Sequence, residues 1–126
     1  IEALLELKKR GYLLGVCTNK PEFLAEKLLK SLGIRDYFLA MLGADTLSIR
    51  KPNPLHLWTT IDWMGGNRTK AILIGDTATD YDTAKNANLP CILVSFGPEG
   101  SGVEDMKPSA MLDAYFDLPD LIDTIL

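Results

Sequence analysis

Short apolar segments alternate with amphipathic helical segments along almost the whole chain, and this alternation limits the folds open to it. The helical patterns predict helices over residues 1–10, 21–32, 54–64, 79–87 and 118–126. The apolar segments predict strands over residues 13–18, 71–75 and 91–95, with shorter strands near 39–43 and 112–115 and an irregular Gly/Pro-rich stretch at 97–109. Strands that alternate with helices pair in parallel, so we predict an α/β fold, a three-layer α/β/α sandwich around one parallel sheet.

The length and composition favour one compact unit. A chain of 126 residues, of which 47% are hydrophobic, can bury about two thirds of its unfolded surface in one core. The net charge of −4 argues against nucleic acid or an anionic membrane as a partner, because both attract basic patches. The chain has no apolar run near the roughly 20 residues of a membrane span and no visible signal peptide, so we expect a cytoplasmic protein.

Two carboxylates, Asp76 and Asp80, follow the strand predicted at residues 71–75. Open α/β sheets bind ligands beyond the carboxyl ends of their strands, and carboxylate oxygens suit Mg²⁺. The spacing of Thr77 and Asp80 is also typical of a helix capping box. Taken alone, the segment fits a capped helix slightly better than a metal site.

A hydroxyl residue, Thr18, ends the strand predicted at residues 13–18. Its hydroxyl can donate to a phosphate oxygen, and the free backbone N–H groups at the start of the next helix add a second anion-binding feature. We predict Pro21 at the first helical position. For Thr18 alone, an ordinary strand-to-helix turn is the simpler interpretation.

A lysine, Lys51, precedes two prolines, Pro52 and Pro54, that stiffen its loop. A lysine with few backbone conformations places its ammonium well for a phosphate. We expect the neighbouring Arg50 to be solvated, as most loop cations are. The lone histidine, His56, lies in the helix predicted next and is interpreted as structural.

The order hydroxyl, lysine, acid pair is more specific than any one of its parts. In this order the chain resembles the haloacid dehalogenase-like phosphatases. Residues 16–19 (Val-Cys-Thr-Asn) are similar to the second motif of that superfamily, residues 51–54 (Lys-Pro-Asn-Pro) to the third, and residues 74–80 to the fourth. The Lys-Pro-x-Pro and Cys-Thr-Asn-Lys-Pro forms look most like the phosphoglycolate phosphatase branch, and the resemblance spans nearly the whole chain.

This resemblance implies a Rossmann-like core and a Mg²⁺-dependent phosphomonoesterase that acts on a small phosphorylated metabolite, 2-phosphoglycolate, through an aspartyl-phosphate. Thr18 and Asn19, the latter through its backbone N–H, would hold phosphoryl oxygens, and Lys51 would neutralise their charge. Asp76 would coordinate Mg²⁺. Asp80 would act indirectly, through a metal-bound water or by orienting Lys51.

One motif of the superfamily is absent. Its first motif is a strand followed by Asp-x-Asp, which supplies the nucleophile and the general acid and base. Here the one Asp-x-Asp is Asp80-Tyr81-Asp82, which follows the fourth motif and opens a helix. We therefore expect residues 1–126 to be the C-terminal part of a core domain, an expectation that fits the non-methionine Ile1. The central first strand and the cap would be missing, which leaves two strand edges unpaired.

Other interpretations of the pattern stay open. A phosphonatase or a sugar-phosphate mutase shares this core and differs mainly in residues that are not present. A dehalogenase would not need the acid pair. A response-regulator receiver uses the same residue types in the reverse order, and a non-catalytic binding or regulatory module would result if the nucleophile were lacking. The sequence does not indicate an oligomeric state.

Overall fold

The computed structural model describes residues 2–95, 108–112 and 114–126. In these residues strands and helices alternate, joined by single 3₁₀ turns at Arg35–Tyr37 and Tyr115–Asp117. The helices are α1 (Glu2–Lys9), α2 (Glu22–Ser31), α3 (Pro54–Trp63), α4 (Ala78–Asn86) and α5 (Leu118–Ile125). The strands are β1 (Gly15–Cys17), β2 (Ala40–Leu42), β3 (Leu73–Gly75), β4 (Cys91–Val94) and β5 (Ala110–Leu112). None of the helices described is long and apolar enough to cross a bilayer.

All strand pairs in the described residues are parallel. Strand β1 pairs with β2, with Val16 opposite Met41. Strand β4 lies between β3 and β5, with Ile92 opposite Ile74 on one side and opposite Ala110 on the other. The order is therefore β1-β2 in one sheet and β3-β4-β5 in a second.

Helices cover both faces of the strands. Leu73 and Leu93 pack with residues of α3 and α4, whereas Ile92, Val94 and Leu112 pack with residues of α1 and α5. Successive strand residues thus point to opposite faces, and both faces are buried, which explains why the strands are continuous apolar runs. The predicted three-layer α/β/α arrangement with parallel strands is confirmed.

A gap separates the two sheets. The structure describes a cavity of about 610 Å³ that is lined by residues 13–17 on the β1 side and residues 71–74 on the β3 side. Leu7 and Ile122, from α1 and α5, and Leu57 and Ile61, from α3, also line it. The gap lies where the resemblance places the missing central strand, so the chain forms a partial core.

Every second residue of β1 and β3 directs its backbone N–H and C=O groups into this gap. On β1, the Thr18 N–H donates to the Leu42 carbonyl at 2.9 Å, and on β3 the Leu73 N–H donates to the Pro90 carbonyl at 3.1 Å. Alternate residues of a strand direct their backbone groups to opposite sides. The residues that direct these groups into the gap are therefore Gly15, Cys17, Ile72 and Ile74.

Two local predictions were wrong. Pro21 has extended backbone angles (φ −52°, ψ 141°) and precedes α2 instead of opening it. The strand predicted near residues 112–115 is β5, which ends at Leu112 because its pairing with β4 ends at Val94. The two 3₁₀ turns were not predicted, since a single turn carries little periodic signal. The stretch predicted to be irregular, residues 97–109, lies outside the described residues except for its last two positions.

Candidate functional site

Polar residues meet in one pocket beyond the carboxyl ends of the strands. The pocket has a volume of about 260 Å³. Thr18 follows β1, Asp76 follows β3, and Lys51 enters from the segment between β2 and α3. The structure thus brings together three side chains that are far apart in sequence. The lining residues are Cys17, Thr18, Lys51, Ile74, Gly75, Asp76, Asp80, Val94 and Tyr115.

The Thr18 hydroxyl accepts one hydrogen bond and donates none among the residues that the structure describes. Its Oγ1 accepts a hydrogen bond from the Lys20 backbone N–H at 3.1 Å, and this bond turns the chain from β1 towards α2. A hydroxyl has one donor and two acceptor positions, so the donor is not used in this bond. Thr18 can therefore donate to an oxygen atom of a ligand.

Lys51 is mostly shielded from solvent and forms an ion pair with Asp80. The Lys51 Nζ contacts the Asp80 Oδ1, and the two side chains are only 9% and 8% exposed. The ammonium has three donors, so two remain beyond this ion pair. The loop that carries Lys51 is also held by Asn86, whose Nδ2 donates to the Pro52 carbonyl at 3.1 Å.

The Asp80 carboxylate forms several hydrogen bonds within residues 76–80. Its Oδ2 accepts hydrogen bonds from the Asp76 backbone N–H at 3.0 Å and from the Thr77 hydroxyl at 3.2 Å. The Thr77 Oγ1 in turn caps α4 by accepting from the Asp80 N–H. The helix-cap and site interpretations of this segment are therefore compatible, because one carboxylate serves the cap and also pairs with Lys51.

Gly75 makes this arrangement possible. A Cβ atom at position 75 would overlap the carboxylate of Asp80, which folds back beneath the end of β3. No rearrangement of a flexible tip would remove the clash, since the Asp80 Cβ is also in the way. A glycine is therefore required here for close approach, and the sequence analysis did not single it out.

Asp76 is partly buried and lies beside a second carboxylate. Burial, followed by the charge of Asp80, raises the pKa of Asp76. A carboxylate in such surroundings would be stabilised by a cation. No group of three or more His, Cys, Asp or Glu residues that could hold a metal occurs in the described residues. Mg²⁺ is nevertheless often held by one or two carboxylates together with water and phosphate oxygens, so Asp76 fits as part of such a site.

The cysteines and the histidine are not suited to nucleophilic chemistry. Burial raises the pKa of Cys17 to about 11 and that of Cys91 to about 12, so both are thiols at neutral pH. His56 is fully buried, and its Nε2 lies 3.0 Å from the Gly43 carbonyl oxygen, to which it donates as the Nε2–H tautomer. Burial lowers the pKa of His56.

One residue of the pocket, Tyr115, was missed by the sequence analysis, and the side-chain contacts of a predicted residue, Asn19, were not foreseen. Tyr115 lines the pocket. It was placed inside the strand predicted near residues 112–115, whereas it lies beyond the carboxyl end of β5. Asn19, predicted to hold a phosphoryl oxygen through its backbone N–H, does not line the pocket, and its side chain bonds to the backbone of Lys51. Its residue type alone gave no sign of this long-range partner.

Fold and site together define an α/β protein with parallel strands, helices on both faces of the strands and a polar pocket beyond the carboxyl ends of the strands. The family model for haloacid dehalogenase-like hydrolases matches residues 1–94. The chain belongs to the haloacid dehalogenase-like hydrolase family. The family resemblance drawn from its three motifs is thus confirmed.

Sequence relatives and solved structures agree with this assignment. A phosphoglycolate phosphatase of Mesorhizobium japonicum is 44% identical over 117 residues, 93% of this chain and 51% of the relative. One from Rhodospirillum rubrum is 40% identical over 114 residues, 90% of this chain and 47% of the relative.

A crystal structure described as a predicted phosphoglycolate phosphatase from Haemophilus somnus has a TM-score of 0.86 at 28% identity, covering 95% of this chain and 54% of that one. A subfamily IA hydrolase of the superfamily from Geobacter sulfurreducens has a TM-score of 0.78 at 25% identity, over 96% of this chain and 53% of that one. The chain therefore spans about half the length of the relatives it matches.

Proposed function

We propose that this chain supplies the phosphate-binding part of a Mg²⁺-dependent phosphomonoesterase that hydrolyses a small phosphorylated metabolite, with 2-phosphoglycolate as the substrate. The observation that carries the proposal is the convergence of Thr18, Lys51 and Asp76 in one pocket beyond the strand ends. Turn residues with unrelated local roles would have no reason to converge there. The substrate is suggested by the names of the sequence relatives.

Each of these residues has a distinct part in binding the phosphoryl group. The Thr18 hydroxyl and the Asn19 backbone N–H donate to phosphoryl oxygens, and the Lys51 ammonium offsets their negative charge. Asp80 orients Lys51 through their ion pair. Fixed donors in a water-poor pocket stabilise the charge of the transition state more than mobile ones do, because they need no reorganisation during the reaction.

Asp76 would contribute a carboxylate ligand to Mg²⁺, with the remaining ligands coming from water, the phosphate and residues outside this chain. The bound metal would supply charge stabilisation for the phosphoryl oxygens. This role agrees with the local electrostatics, since burial and then the Asp80 charge raise the pKa of Asp76, and a bound cation would favour its ionised form.

The nucleophile would come from a strand that fills the gap between β1 and β3. Cys17 and Ile74 line both the gap and the phosphate pocket, so a parallel strand in the gap would end directly at the pocket. An aspartate placed there would attack phosphorus, forming an aspartyl-phosphate as the ester P–O bond breaks and the leaving alkoxide takes a proton from a general acid. Water would then hydrolyse the aspartyl-phosphate to inorganic phosphate and regenerate the carboxylate.

Phosphate release by the natural protein that carries this sequence tests the proposal. We expect Mg²⁺-dependent hydrolysis of 2-phosphoglycolate, and no hydrolysis of p-nitrophenyl phosphate by the 126-residue chain alone, which lacks the nucleophile. Phosphonoacetaldehyde and a hexose 1-phosphate serve as competing substrates. If the protein turned over phosphonoacetaldehyde or the hexose 1-phosphate in preference to 2-phosphoglycolate, the proposal would be replaced by a phosphonatase or a mutase. Activity of the isolated 126-residue chain would contradict the assigned source of the nucleophile.

A further inference from the structure

The side-chain amide of Asn19 forms two hydrogen bonds with the backbone of Lys51. Its Nδ2 donates to the Lys51 carbonyl at 3.1 Å, and its Oδ1 accepts from the Lys51 N–H, also at 3.1 Å. The two residues are 32 positions apart in sequence. The amide thus joins the loop after β1 to the loop before α3 through both of its polar groups.

Lys51 is held both at its backbone and at its side-chain ammonium. Asn19 fixes its backbone, and Asp80 contacts its ammonium. Four rotatable bonds lie between these ends, so either contact alone would leave the ammonium free to move. The pair also fixes the Lys51 backbone relative to Thr18, which is the residue next to Asn19.

We propose that Asn19 is a positioning residue whose side chain sets the distance between the Lys51 ammonium and the Thr18 hydroxyl. In this proposal its side chain holds the lysine loop, independently of the role proposed for its backbone N–H. The kinetic consequence of this inference rests on the proposed function, but its structural content does not. A misplacement of about 1 Å in a catalytic group can cost about 100-fold in rate.

Amide hydrogen exchange at Lys51 tests the structural content, measured by NMR on the natural protein that carries this sequence. Asn19→Ala removes the acceptor, and we expect the protection of the Lys51 N–H to fall about tenfold or more. Asn19→Asp keeps the acceptor for the Lys51 N–H but replaces the donor to the Lys51 carbonyl with a second acceptor, so we expect its loss of protection to be smaller than that of Asn19→Ala. The matched control is Asn86→Ala, which removes a bond to the same loop at Pro52 but none to Lys51. Unchanged protection in Asn19→Ala would overturn the inference, and an equal loss of protection in Asn86→Ala would also contradict it.

A double-mutant cycle then tests the role in catalysis. We expect Asn19→Ala to lower kcat about 10- to 100-fold in the wild-type background and to have almost no effect in the Lys51→Ala background, because residues that act as one unit are not additive. Equal effects in both backgrounds would show that Asn19 acts independently of Lys51. If the natural protein has no phosphatase activity, the proposed function fails, and the exchange measurement still decides whether Asn19 holds Lys51.

Discussion

The open gap between β1 and β3 should prevent the 126-residue chain from folding alone as a stable monomer. The gap measures about 610 Å³. At about 24 cal/mol per Å³, the cost measured for cavities in protein cores, this volume corresponds to about 15 kcal/mol. That figure is an upper bound, because water and side chains can enter an open gap. It is nevertheless as large as the whole free energy of unfolding of a typical domain, about 5–15 kcal/mol.

Backbone groups at this gap have no strand partner within residues 2–95, 108–112 and 114–126, which adds to the cost. Gly15 and Cys17 on one side and Ile72 and Ile74 on the other direct their N–H and C=O groups into a space that is lined mainly by apolar side chains. Exposed strand edges of this kind also promote association between chains. We therefore expect the isolated chain to be either poorly folded or aggregated.

Circular dichroism melting combined with light scattering at micromolar concentration measures this directly. The control is a chimera in which the unmatched half of the Mesorhizobium japonicum relative is joined to this chain, so that the gap can be filled. We expect a cooperative melt from the chimera and none from the isolated chain. A monomeric isolated chain with a cooperative thermal transition would refute the argument from the gap.

Three substitutions in the natural protein probe the pocket and its support. Lys51→Ala should lower kcat by about 100-fold or more through lost charge stabilisation. Arg50→Ala, at an exposed neighbouring position, should leave kcat unchanged. Equal losses of kcat in the two variants, measured in steady-state assays, would contradict the role assigned to Lys51. Gly75→Ala should displace the Asp80 carboxylate and reduce activity, and a crystal structure of the variant with Asp80 unmoved would contradict this. His56, whose pKa burial lowers, binds fewer protons folded than unfolded, so the free energy of unfolding should decrease as pH falls through and below about 6.5. His56→Gln should reduce that decrease in chemical denaturation experiments, and an equal decrease would refute it.

Much of the fold could be predicted from the sequence because its apolar runs and its amphipathic helical patterns are clearly distinct from one another. The apolar run at residues 71–75 and the amphipathic run at 21–32 each agree with one secondary structure in pattern and in length. The strand near residues 112–115 could not be located, since β5 spans only Ala110–Leu112 and its register is set by pairing with β4. Short strands depend on partners that a local pattern does not contain.

The residues of the candidate site were predictable, and the resemblance also implied the pairing of Asp80 with Lys51 as one of two roles for Asp80, but their other partners were not predictable. Rules about strand ends placed Thr18 and Asp76 at one edge of the sheet, and the structure brings them into one pocket. The bonds of the Asn19 side chain to Lys51 and the close approach of Asp80 to Gly75 depend on the tertiary arrangement. No spacing in the sequence encodes such contacts, so they required coordinates.

The Mg²⁺ dependence of activity in an Asp76→Asn variant is the most direct test of the proposed site. The substitution keeps the size of the side chain and removes the charged oxygen ligand. We expect the Mg²⁺ concentration needed for half-maximal phosphate release from 2-phosphoglycolate to rise by at least about tenfold, since even the loss of groups that only support metal ligands costs about 10- to 100-fold. Asp82→Asn, the same change at an exposed position of α4, should leave this Mg²⁺ concentration unchanged. The same Mg²⁺ dependence in Asp76→Asn as in the wild-type protein would contradict the account.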